Sequence, residues 1–148
     1  MRKITKALFT VGTAIGLTLG MATAASAASN PVSVCGSGYY VQESHNLGWY
    51  LPTDEPQAKV YLLYNSSTGY NCVVTVVTGG QVSNPINAGL RVEGGSWVTD
   101  PGQYNSYAGP IRLKANGKCV QYMGSTRYWT GSGVPYTDTY TSPLGHCG

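Results

Sequence analysis

The sequence predicts an all-β domain, a small disulfide-stabilised β-sandwich or partly closed barrel, made after a cleaved N-terminal signal peptide. Three observations predict it. Gly, Ser, Thr, Asn and Pro recur every few residues beyond position 28, so no run of strong helix formers keeps a 3.6-residue apolar stripe. Short runs rich in Val, Tyr, Thr and Ile lie between those breakers, the pattern of strands separated by turns. Four cysteines, Cys35, Cys72, Cys119 and Cys147, are spread singly, which in an exported chain of this size reads as two disulfides.

The N-terminus sets the compartment. Arg2, Lys3 and Lys6 form a basic start, residues 7–20 are uncharged and largely apolar, and Ala25-Ser26-Ala27 has the small residues that signal peptidase requires. Residues 1–27 read as a signal peptide and 28–148 as a single secreted β domain, with cleavage after Ala27 or one residue later. A membrane anchor is the rival reading, but Thr10, Gly12, Thr13, Gly16 and Thr18 break the run, which falls short of the ~20 apolar residues a span needs. The processed domain is therefore expected in the extracellular space without an anchor. Arg2-Lys3 lacks the second arginine of a twin-arginine signal, which favours export of the unfolded chain.

Strands are expected at 39–44, 58–64, 70–78, 89–93, 96–99, 109–115, 118–123 and 125–130. Residues 59–64 and 70–77 form a hairpin across the five-residue loop 65–69. If Tyr64 faces Tyr70, then Leu62 faces Cys72 and Val60 faces Val74, so these four line the core with Val76 and Cys72 points inward. Tyr61, Leu63, Val73 and Val77 make the opposite face apolar too, which suggests central strands covered on both sides. Asn65-Ser-Ser has the form of a glycosylation sequon, and in a bacterium it is a turn. Asn116-Gly117 supplies the two positive-φ residues of a type I′ turn. The register that follows puts Ile111, Leu113, Val120 and Tyr122 on the core face and Arg112, Lys114, Gln121 and Cys119 on the other. On that reading Leu113→Ala costs about 2 to 5 kcal/mol and Arg112→Ala under about 1 kcal/mol.

Four cysteines allow three connectivities. The sequential one is favoured: Cys35 with Cys72 joins an N-terminal segment to the inner hairpin, and Cys119 with Cys147 closes the tail 142–148 over the outer face. Opposite facings of Cys72 and Cys119 argue against a direct bond between them. A zinc site is the alternative, and the absence of any C-x-x-C pair counts against it.

Charge excludes a large function class. The whole chain carries a net +3, but three of its nine basic residues lie in the leader, so the six left balance six acids. A neutral domain has no basic stripe with which to neutralise phosphates, and no nucleic-acid partner is expected. The aromatic content is unusual: the single phenylalanine, Phe9, is in the leader, while all twelve tyrosines and Trp49, Trp97 and Trp129 follow it. Rings with a polar tip suit a thin sheet with one wet face.

No motif supplies a catalytic residue. His45 and His146 are the only histidines, each in a polar, turn-like setting, with no H-E-x-x-H and no third ligand, so neither a metal nor any other cofactor is expected. Glu43 and His45, two apart, have the form of an acid/base pair, yet no nucleophile stands in a setting such as G-x-S-x-G, and surface polar residues are the simpler reading. The stretches 36–38, 94–96 and 131–133 are glycine-rich, but none follows a strand and opens a helix, so they are loops rather than phosphate cradles. Trp49-Tyr50 and Tyr128-Trp129 stand in turn-rich sequence and are candidate glycan-stacking residues. Adjacent strand residues point to opposite faces, so only one of each pair can be core.

Four blocks around the cysteines carry a family resemblance. They are Cys35-Gly-Ser-Gly-Tyr39; Val60-Tyr-Leu-Leu-Tyr-Asn65 with Asn71-Cys-Val-Val74; Tyr107-Ala-Gly-Pro110 with Gly117-Lys-Cys-Val120; and Tyr140-Thr-Ser-Pro143 with His146-Cys-Gly148. Together they resemble the spore-associated protein A family of actinobacteria over nearly all of 28–148. The resemblance implies an exported protein recovered with aerial hyphae and spores, and brings no catalytic or ligand-binding residues to carry over. Residues 49–57 and the neighbourhood of Tyr128-Trp129 look like insertions relative to that pattern.

The expected function is that of a non-enzymatic structural or surface-associated protein of the spore or aerial-hypha envelope, with the spore or cell-wall surface as its partner. A glycan-binding module using Trp49, Trp129 and their neighbours is the first alternative. A secreted protease inhibitor is the second, since two disulfides and exposed loops are the usual equipment of such proteins.

Overall fold

Asn30 caps a single helical turn, α1 (Pro31–Cys35). Its side chain accepts the Val32 N–H at 2.9 Å, and Pro31 supplies the fixed φ that the first turn wants. The structure, a computed structural model, describes residues 29–50, 55–79, 84–129 and 132–148; the expected signal peptide 1–27 and its cleavage site lie outside them. Sequence reading admits no helix after the leader, and α1 is too short to show an apolar period.

Eight strands follow: β1 (Tyr40–Tyr50), β2 (Glu55–Asn65), β3 (Tyr70–Val77), β4 (Asn84–Val92), β5 (Val98–Tyr104), β6 (Tyr107–Lys114), β7 (Val120–Trp129) and β8 (Pro135–Thr141). They form two antiparallel sheets, A in the order β1-β2-β3-β6 and B in the order β5-β4-β7-β8, packed face to face as a sandwich that is not closed into a barrel. Leu47, Val60, Leu62 and Val73 of sheet A meet Ile86, Leu90, Val120 and Tyr122 of sheet B in the core between them. A second apolar cluster lies on the far side of sheet A, where Leu63, Cys72, Val74 and Val76 are buried beneath Val32, Val34 and Tyr39.

The β2–β3 hairpin runs one residue out of the expected register. Asn65 pairs with Tyr70, Leu63 with Cys72, Leu62 with Val73 and Val60 with Thr75. The cause is Asn65, whose Oδ1 accepts the N–H groups of Ser67 and Thr68 at 3.0 and 3.2 Å while its carbonyl accepts that of Gly69 at 2.8 Å. That side-chain turn makes Asn65 the last strand residue and leaves only 66–69 as loop. A slip of one swaps the faces, so Cys72, Val74 and Val76 point away from the inter-sheet core and Val73 points into it. Burial on both faces is as expected.

The Asn-Gly turn forms, with Asn116 at φ 52°, Gly117 at φ 81° and the Lys118 N–H on the Ala115 carbonyl at 3.1 Å. Its two strands do not pair. β6 joins β3, and β7 lies between β4 and β8, so the turn carries the chain from sheet A to sheet B. The expected faces survive because each strand keeps its own alternation. Ile111, Val120 and Tyr122 are buried, Leu113 is half-buried against the same core, and Arg112 and Lys114 are exposed. Arg112 is no idle surface residue, however. Its guanidinium donates to the Cys35 carbonyl at 2.8 and 3.0 Å and to that of Val34 at 3.1 Å, clamping the end of α1.

The two strands expected at 118–123 and 125–130 are replaced by one continuous strand, β7 (Val120–Trp129), and none of the expected strands corresponds to β8. Of the stretch 49–57, the described residues end β1 and begin β2, with Trp49 opposite Pro56 and Tyr50 opposite Glu55. The disulfides are Cys35–Cys72, which fixes α1 to sheet A, and Cys119–Cys147, which ties the tail to the start of β7. There Gly145 pairs with Val120, and Ser142 Oγ accepts the Tyr122 N–H at 3.0 Å.

Each side of the sandwich is closed by an aspartate. Asp138 of β8 accepts the Gly48 N–H of β1 at 2.8 Å, and Asp100 of β5 accepts the Gly109 N–H of β6 at 2.6 Å. Gly48 and Gly109 have φ of +63° and +92°, a conformation that L side chains resist and that turns these amides out of their own ladder.

Candidate functional site

An extra residue in β1 decides what that strand presents. Val41 pairs with Leu63 and Glu43 with Leu62, so a bulge at Gln42 resets the alternation and turns Glu43 and His45 toward sheet B. The His45 ring lies flat on Tyr140 of β8, with centroids 3.8 Å apart and planes 9° from parallel. Glu43 Oε2 meets His146 Nε2 of the tail at 2.8 Å. Beneath them Tyr122 of β7 is fully buried and tilted against Tyr140 at 5.7 Å.

Burial pushes the Tyr122 phenol far above its ordinary range, helped by the Glu43 carboxylate and Tyr140, so it stays neutral throughout the physiological range. Its hydroxyl has no hydrogen-bond partner among the described residues. The acid/base partner of Glu43 is thus His146, 103 residues away, rather than His45. Both are partly open to water, with side-chain exposures of 41% and 27%. Their contact holds the tail against β1, while His146 sits at φ 50°, strained for a residue with a side chain. Among the described residues no three His, Cys, Asp or Glu side chains gather as a metal site would need.

The four candidate stacking residues separate. Trp49 and Trp129 are 49% and 56% exposed. Tyr128 lies on the inner side of β7, edge-on to Tyr136 at 5.6 Å and so close to Gly48 that a Cβ there would stand 2.9 Å from its ring. It is a packing residue. Tyr50 ends β1, and its side chain is outside what the structure describes. The Gly48–Tyr128 contact brings the ends of β1 and β7 together, and a shallow depression lined by Ser44, His45, Asn46, Trp49 and Lys59 lies beside it. Sequence reading missed Tyr136, 56% exposed on the unanticipated β8, and Trp97, over whose ring Arg91 stands at 5.2 Å.

Comparison with known proteins gives one informative result. The chain is 42% identical over 106 residues to Spore-associated protein A of Streptomyces coelicolor, a match covering 71% of this chain and 64% of that protein. The aligned region thus spans somewhat less than two thirds of the relative's length. No family model matches the chain. No solved structure matches it either.

Proposed function

The chain is a homologue of Spore-associated protein A, which supports its place in that family, and from that premise we propose that it is a secreted, non-enzymatic surface-associated protein of the spore or aerial-hypha envelope. The observation that carries this reading is the 42% identity to a protein named for its association with spores. Two features of the molecule are consistent with service in an exposed layer. Both ends of the β domain are stapled, the first by Cys35–Cys72 and the last by Cys119–Cys147, so fraying from the termini is opposed outside the cell. Above the buried Tyr122, the partly exposed Glu43 and His146 are engaged with each other and hold the tail against β1.

Fractionation tests the reading. Cultures expressing a C-terminally tagged chain are separated into medium, vegetative mycelium and washed spores, and the protein is detected in each. Enrichment on washed spores is expected. Its presence in medium and mycelium alone would sink the envelope assignment.

A further inference from the structure

The side of sheet B turned away from the core differs from the apolar outer side of sheet A, which α1 covers. Ile86, Ala88 and Leu90 fill the core, so alternation sends Asn87 and Arg91 of β4 outward. The pairings align Gln103, Arg127 and Thr137 in one row across the sheet and Asn87, Ser125 and Thr139 in the next. All of these but Thr139, with Pro85 and Pro101, line a groove of about 410 Å³. At its floor Asn87 Oδ1 is shielded from solvent without a hydrogen-bond partner among the described residues.

The charges on this sheet are sorted by face. Its two acids, Asp100 and Asp138, lie on the inner side, bonded to Gly109 and Gly48 of the other sheet. Its two cations, Arg91 and Arg127, point outward, and the nearest acid in sequence, Glu93, follows the end of β4. Gln121 and the Trp97 ring hold Arg91 in place, the first by a 2.7 Å bond to its Nε. Arg127 is exposed and makes no ion pair among the described residues. Arg91 lies opposite Gln121, six residues before Arg127 on β7, so the two cations stand ~20 Å apart along the strand. Trp129 shares the parity of Arg127 and is exposed just beyond it.

We propose that the outer face of sheet B binds an anionic polysaccharide, one bearing carboxylates along a chain of hydroxylated sugars. Arg127 and Arg91 meet acidic groups several sugars apart, the Asn87, Ser125 and Thr137 side chains exchange hydrogen bonds with hydroxyls, and Trp129 offers a ring on which a sugar stacks. Charge complementarity selects this occupant over a neutral glycan: the strands put two cations and no acid on the face, and Asn87, Ser125 and Thr137 give the groove hydroxyl-bonding side chains among Pro85, Ile86 and Pro101. The proposal deepens the envelope reading by naming the surface and the chemistry of attachment.

The test is affinity electrophoresis of the secreted, oxidised protein in gels containing polygalacturonate, with dextran gels beside them. Retardation is expected in polygalacturonate alone, weakening as salt is added. Arg127→Gln, at an exposed residue outside every packing cluster, should weaken it about tenfold and the Arg91→Gln/Arg127→Gln pair more, while Lys114→Gln on sheet A leaves it unchanged. No retardation of the wild type, equal retardation in dextran, or an unaffected Arg127→Gln would overturn the proposal. Protein found on spores but not retarded by polygalacturonate would remove this surface and leave the envelope reading. Retardation without recovery on spores would do the reverse.

Discussion

The two outer faces of the sandwich are built from the same kind of strand and finished in opposite ways. On sheet A, Leu63, Val74 and Val76 face outward and are covered by α1, which is bonded to Cys72 through Cys35 and gripped through its last carbonyls by Arg112. On sheet B the outward residues of the central strands are Pro85, Asn87, Gly89 and Arg91 of β4 and Gln121, Met123, Ser125, Arg127 and Trp129 of β7, and no element of the described chain lies over them. An apolar sheet face needs a lid, and a five-residue helix serves when a disulfide removes the entropy of closing it. A face of hydroxyls and amides needs none and stays available for a partner. Stability should therefore be concentrated on one side of the molecule and binding on the other.

The largest expected effect is on the lid. Replacing Cys35 and Cys72 together by Ala removes a loop closure worth about 4 kcal/mol and uncovers the apolar face, so urea unfolding should show a loss of at least that size together with new binding of a hydrophobic dye. Loss without dye binding would mean that α1 stays docked unaided. Next in size, Leu63→Ala should cost about 3 kcal/mol and Thr139→Ala under about 0.5 kcal/mol, both read from urea midpoints; similar values would erase the distinction between the faces. Arg112→Gln, which breaks the grip on α1, should cost about 1 to 2 kcal/mol, above the sub-kilocalorie figure the sequence suggested for loss of this side chain.

The smallest effect concerns the interior that both sheets share. Tyr122 carries a buried hydroxyl without a partner, so Tyr122→Phe should change neutral-pH stability by less than about 1 kcal/mol, in the stabilising direction. Its folded phenol titrates above the ordinary 10.0. Its contribution is therefore present in full below pH 10 and erodes as the pH rises above that toward the folded value, because the unfolded chain loses the proton first. The alkaline limb of the wild-type stability curve should be steeper than that of Tyr122→Phe, and parallel limbs would contradict the burial argument.

What could be read from the sequence follows the range of the interactions involved. The Asn116-Gly117 turn and the inward facing of Ile111, Val120 and Tyr122 are local and were legible. Whether the strands flanking that turn pair with each other depends on which sheet each joins, and nothing within ten residues encodes that. The β2–β3 register turned on one side chain, since Asn65 reads equally well as loop or as strand end until its own hydrogen bonds are known. β8 escaped because an edge strand with an outward row of Thr137, Thr139 and Thr141 has no apolar period to detect. The Glu43–His146 contact depends on a tail tied back by Cys119–Cys147, which the cysteine spacing suggests, and on a bulge at Gln42, which has no sequence signature.

The two aspartate bridges also bear on how such molecules crowd together. β1 and β6 are the lateral strands of sheet A, where an unpaired backbone invites another chain to add on. At Gly48 and Gly109 that invitation is withdrawn, because Asp138 and Asp100 already occupy the amides that an incoming strand would need. A protein gathered densely on a wall would then meet its neighbours along the edges of sheet A without adding a strand at these two points.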